Sequence, residues 1–141
     1  MRFGPVVQEA IRSLQADRDL WEGRRGDACG LLLGKDEPVG YLGVPDEFRP
    51  FLSWGVDGVH EGLWIDVQHQ GHAPYVVMVS PMDTDAIRVE ARDVDSWHAL
   101  LRLGIFVEHH GNAWEEEREA AIAHRRRLGL PSIPVQYDIP D

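Results

Sequence analysis

The sequence predicts an α+β domain, with a central, mainly antiparallel sheet of about four to six strands and helices flanking it. Three observations carry that expectation. The run Tyr75-Val76-Val77-Met78-Val79-Ser80 is almost wholly apolar and rich in β-branched residues, the pattern of a strand covered on both faces. From Ile87 to Arg92 the chain alternates, with Ile87, Val89 and Ala91 against Arg88, Glu90 and Arg92, as in a strand with one wet face. With a third strand beginning near Val59, short connections make an antiparallel meander.

In chain order, Pro5 to about Asp17 reads as an amphipathic helix. Val6, Val7, Ala10, Ile11 and Leu14 share one stripe, while Gln8, Arg12 and Gln15 lie opposite. From Asp19 to Gly43, glycines at 23, 26, 30, 34 and 40 interrupt short apolar pieces, which predicts irregular structure with one short strand. Neither GxGxxG nor a Gly-Lys-Ser/Thr ending is present, so these glycines are not a phosphate-binding loop. Phe48, Phe51 and Leu52 recur at i, i+3 and i+4, which predicts a short helix from about Asp46 to Ser53 with Pro45 in its first turn. Gly55 and Asp57-Gly58 then reverse the chain. In the following strand Val59, Glu61, Leu63 and Ile65 point one way, and His60, Gly62, Trp64 and Asp66 the other.

Val67 to Ala73 is a polar loop, and Pro81 to Asp85 is a turn. Two helices close the chain. Asp93 or Asp95 caps the first, whose Val94, Trp97, Leu101 and Phe106 keep helical spacing to about Val107. The second starts at Asn112 with Glu115 three positions on, and stops at Arg125-Arg126-Arg127, Gly129 and Pro131. Residues 1–130 are thus expected to form one domain, with 131–141 as an extended tail.

Composition narrows the function classes. A chain of 141 residues with a net charge of −10 disfavours nucleic acid and anionic lipid, which are held by clustered Lys and Arg. An acidic surface suits a basic protein instead. Cys29 is the single cysteine, so no internal disulfide forms. The start MRFGPVVQEA has neither the basic onset nor the apolar core of a secretory leader, and no apolar run reaches the length of a membrane span, so the expected setting is cytoplasmic and reducing.

Few residues suggest chemistry. His69 and His72, with His60 and Asp66, have ligand types suited to a divalent metal, yet a wet loop holds histidines at no cost and HExxH is absent. Cys29 lacks any neighbour that would lower its pKa and reads as a buried small residue, while Ser80 lacks the GxSxG elbow. Asp83 and Asp85 suit a turn, His109 and His110 a helix end, and Arg125 to Arg127 a helix C-terminus. Trp21, Trp54 and Trp64 read first as core residues. Trp64 and His60 on the outer strand face would also offer an aromatic and polar surface to a protein partner.

Three stretches resemble the core of the SUKH superfamily: PFLSWGVDGVHEGLW from Pro50 to Trp64, PYVVMVSPMD from Pro74 to Asp83, and IRVEARDVDSWHALL from Ile87 to Leu101. The resemblance runs in matching order over about Asp46 to Leu103. It implies an α+β fold with a mainly antiparallel sheet. It also implies, as for many bacterial members, an immunity protein that binds and neutralises a cognate toxin. The expectation is therefore non-catalytic protein binding, without metal or cofactor, through Trp54, Asp57, His60, Glu61, Trp64 and Asp66. The alternative is a metal-binding protein or metal-dependent hydrolase built on His60, His69 and His72.

Overall fold

A computed structural model describes residues 4–39, 44, 47–55, 58–65, 73–80 and 87–102. The expected Asp66 and Asp57 contacts, the His69 and His72 loop, the Asp83 and Asp85 turn, the helix from Asn112 and the 131–141 tail lie outside those residues.

Helix α1 spans Pro5–Ala16, with proline at its start, where no backbone N–H is needed. Its inner stripe, Val7, Ala10, Ile11 and Leu14, is buried as the spacing predicts. Between α1 and the sheet the chain makes two 3-10 turns, Arg18–Leu20 and Gly30–Leu33, around a two-residue strand β1, Asp27–Ala28. Gly30 sits at φ +46°, and a Cβ there would lie 2.2 Å from the Pro50 carbonyl oxygen, so the turn approaches the sheet at a distance only glycine allows.

The sheet is completed by β2 (Phe48–Ser53), β3 (His60–Trp64), β4 (Tyr75–Val79) and β5 (Ile87–Ala91). Every neighbouring pair is antiparallel, and the order β1-β2-β3-β4-β5 is a plain meander. The architecture is α+β, with five strands and two helices among the described residues.

One element differs from its sequence pattern. Residues 48–53 form a strand rather than the helix that Phe48, Phe51 and Leu52 suggest. All three are buried because both sides of the strand are covered, and a bulge between Pro50 and Leu52 supplies the extra step in their spacing. Pairing with β3 overrides the local pattern. Pro50 is tolerated because β1 pairs only with Ser53 and Leu52, so it has ended before Pro50.

A second bulge interrupts β5, where Val76 pairs with Ala91 but Val77 pairs with Val89. Each bulge adds one residue and so changes which face the next side chain meets. Phe51 and Glu90 are the extra residues, and both turn to the side on which the helices pack. The Phe51 ring lies 5.7 Å from Trp21 and 5.3 Å from Trp97, both edge to face.

Helix α2 spans Val94–Arg102. Asp93 is its cap, its Oδ1 accepting the Ser96 N–H at 2.7 Å. Asp95 instead accepts the Ser13 hydroxyl of α1 at 3.1 Å, tying the helices together. The buried core joins α1, Trp21 and Trp97 to Leu63 and Val76, and all five residues of β4 are buried, as expected of an inner strand.

Candidate interaction site

The β2–β3 hairpin carries the site. Ser53 and His60 are its last register pair, and the Trp54 N–H donates to the Val59 carbonyl at 3.1 Å to close the turn. Gly55 (φ 81°) and Gly58 (φ 71°) adopt the left-handed backbone that the turn requires. The Ser53 hydroxyl accepts the Gly55 N–H at 3.2 Å, and His60 Nδ1 lies 2.7 Å from the Gly58 carbonyl oxygen. The tip is therefore braced from both strands.

Trp54 stands at this tip, 37% exposed, and with Leu33 it is a large apolar side chain left on the surface of the described residues. Its indole is held from below. Nε1–H donates to Glu61 Oε1 at 3.0 Å, and the Arg25 guanidinium lies 5.2 Å from the ring centroid.

Beneath Trp54 is a buried charge cluster. Arg25 Nε donates to Glu61 Oε1 at 2.5 Å and Arg25 Nη2 to Glu90 Oε2 at 2.9 Å. Trp97 Nε1–H also donates to Glu90 Oε2, at 3.1 Å. The side chains of Arg25, Glu61 and Glu90 are 5%, 0% and 2% exposed. Two carboxyls thus share one cation in a low-dielectric setting, which two full negative charges would make costly. Burial, followed by the neighbouring Glu61 charge, pushes the Glu90 carboxyl well above the usual carboxylate range. Glu61 Oε2 and Glu90 Oε1 are both buried without a hydrogen-bond partner among the described residues. Two ionised carboxylates are acceptors only, and a proton on one would supply the donor that the pair lacks.

His60 faces elsewhere, lining a shallow cleft of about 220 Å³ with Cys29, Lys35, Glu37 and Pro50. Cys29 is half-buried rather than fully enclosed, and burial pushes its thiol up to about 11, so it stays protonated and unreactive at neutral pH. A larger groove of about 390 Å³ runs between α1 and the start of α2. Its carboxylates are already engaged, with Glu9 paired to Arg12, Asp93 capping α2 and Asp95 holding Ser13. Among the described residues no cluster of three or more His, Cys, Asp or Glu is placed to hold a metal.

Of the expected contact residues, Trp54 and His60 reach the surface. Glu61 and Trp64, expected as contacts, are instead buried. Glu61 is consumed by Arg25 and Trp54, and Trp64, 2% exposed, packs against Tyr75 with a ring separation of 6.4 Å. The alternation placing Trp64 opposite Leu63 holds, but both faces of β3 are covered. Glu90, expected on a wet face, is likewise buried, because the β5 bulge turns it inward. Arg25 and Glu90 are the residues sequence reasoning missed. The available signal was a lone acid within an apolar alternation, which burial obliges to find a donor.

No family model matches the chain, and neither a curated protein nor a solved structure matches it. No described helix is long and apolar enough to cross a membrane.

Proposed function

We propose that this chain is a non-catalytic protein-binding domain that neutralises a basic partner, similar in role to SUKH immunity proteins. The observation that carries the reading is the anchoring of Trp54: an exposed indole on a braced turn, fixed by a hydrogen bond to Glu61 and by the Arg25 guanidinium. Ordering a side chain at an interface costs about 0.5–1.5 kcal/mol, and an indole already held in place avoids much of that cost. Tryptophan is also the residue type most often found at the energetic centre of an interface. The net charge of −10 supports a basic partner, whose approach it would speed and select. The buried acid pair supports the same reading, because its carboxyls are spent on holding Trp54 and Arg25.

The test is affinity capture of partners from the native host with wild type, Trp54→Ala and His60→Ala. A basic protein retained by wild type and lost with Trp54→Ala supports the proposal. Equal retention by all three removes the hairpin tip as the contact.

A further inference from the structure

We infer that Glu90, gripped by Arg25 beside Glu61, holds a proton and acts as a proton switch under Trp54, so that losing the proton loosens the hairpin tip.

The geometry points to it on three counts. The two carboxyls come from different strands, β3 and β5, and meet at one guanidinium through Arg25 Nε and Nη2. The oxygens they do not give to donors, Glu61 Oε2 and Glu90 Oε1, are buried and have no hydrogen-bond partner among the described residues. Two acceptors can satisfy each other only when one bears hydrogen. Each carboxyl is also the acceptor for a different indole, Glu61 for Trp54 and Glu90 for Trp97, so any change in the pair is felt at both.

Among the side chains described, few groups compete for control of the pair. Arg25 faces it from the segment before β1, and Trp97 from α2. Val76 and Met78 of β4 and Phe51 and Leu52 of β2 bring no charge. His98, next to Trp97 in sequence, is turned to Asp17, with Asp95 and Arg102 acting on it as well. On ionisation the Glu90 O–H bond breaks, the proton passes to water and the electron pair stays on Oε1. The cluster then carries two negative charges and one positive. The second charge repels the first across a buried site, and the only O–H donor of the acid pair is gone.

The consequence for partner binding rests on the function proposed for Trp54, but the switch is tested without a partner. Glu90→Gln keeps an acceptor for Arg25 and Trp97 and a donor for Glu61, without the titration. Unfolding of the full chain by urea is followed against pH for wild type and Glu90→Gln. The wild type is expected to lose stability relative to the variant as pH rises above the ordinary glutamate range, by up to tenfold in folding constant per pH unit. A difference that does not change with pH overturns the inference. Should Glu90→Gln not fold, infrared spectroscopy of the wild type decides. A protonated carboxyl band persisting where exposed carboxyls are ionised supports the switch, and its absence overturns it. Indole N–H resonances report the reach of the switch. Trp54 and Trp97 shifting with a common midpoint is the expected result, and a Trp54 resonance that ignores the titration refutes the link to the tip.

Discussion

Glu61 and Glu90 stand two strands apart, on β3 and β5, and are drawn to neighbouring donors of the Arg25 guanidinium, Nε and Nη2, at 2.5 and 2.9 Å. The intervening strand β4 contributes only apolar residues under them, so the charge cluster is enclosed by the same core that it interrupts.

Removing the cation is therefore the most damaging single change in the cluster. Arg25→Met leaves two buried carboxyls without their counter-charge, and breaking a buried pair in this way costs about 3–5 kcal/mol. Urea unfolding at neutral pH should show a loss of that size. Arg25→Met/Glu61→Gln/Glu90→Gln, which also removes the titratable carboxyls, should recover part of it.

The close approach at Gly30 is a second sensitive point. Gly30→Ala must move the Pro50 carbonyl from 2.2 Å and also adopt φ +46°. Gly34→Ala meets nothing within 4 Å and bears only the strain of φ +76°. Backbone strain alone costs about 1–2 kcal/mol. Thermal melts should rank Gly30→Ala well below Gly34→Ala, and Gly34→Ala slightly below wild type.

His98 gives the molecule a pH dependence of opposite sign to that of Glu90. Burial lowers the His98 pKa below its ordinary 6.5, with Asp17 opposing the shift. The unfolded chain then binds a proton that the folded chain refuses, so stability is present above 6.5 and falls as pH drops through that value toward the lower folded pKa. Wild type minus His98→Gln unfolding free energy should decline on acidification over this range. A flat difference would show that His98 does not titrate against folding.

Cys29 should react slowly. With its thiol pushed up to about 11, little thiolate exists near neutrality. Iodoacetamide labelling of the folded chain should be far slower than that of a free thiol and should climb toward alkaline pH, whereas unfolded protein should label at the ordinary rate.

The cap on α2 is measurable as well. Asp93→Ala deletes the acceptor for the Ser96 N–H and should cost about 1 kcal/mol, within the range found for such caps. Asp95→Ala loses the exposed bond to Ser13 and a charge acting on His98, and should cost less.

Much of the architecture was legible because its signals are periodic. The stripe of α1, the apolar run of β4 and the alternation at β3 specify elements whose neighbours only reinforce them. The strand at 48–53 was misread because a bulge at Phe51 reproduces helical spacing within an extended chain. Glu90 was misplaced for the same reason, since one extra residue reverses inside and outside. At the candidate site Trp54 and His60 are expected contacts, but Trp54 reads first as a core residue and His60 as part of a strand face, and the exposure of Trp54 comes from the folded hairpin. Arg25 was not legible, because it comes from a glycine-broken segment with no periodicity, and only the folded chain shows that it meets Glu61 and Glu90.

The bulge at Glu90 also bears on descent. Two strands inherited from a common ancestor, one keeping the additional residue and the other having lost it, would present opposite side chains at the same ungapped column. Deletion of a single codon in β5 would thus swap an interior acid for its neighbour while leaving most of the pairing intact, a larger chemical change than most point substitutions make.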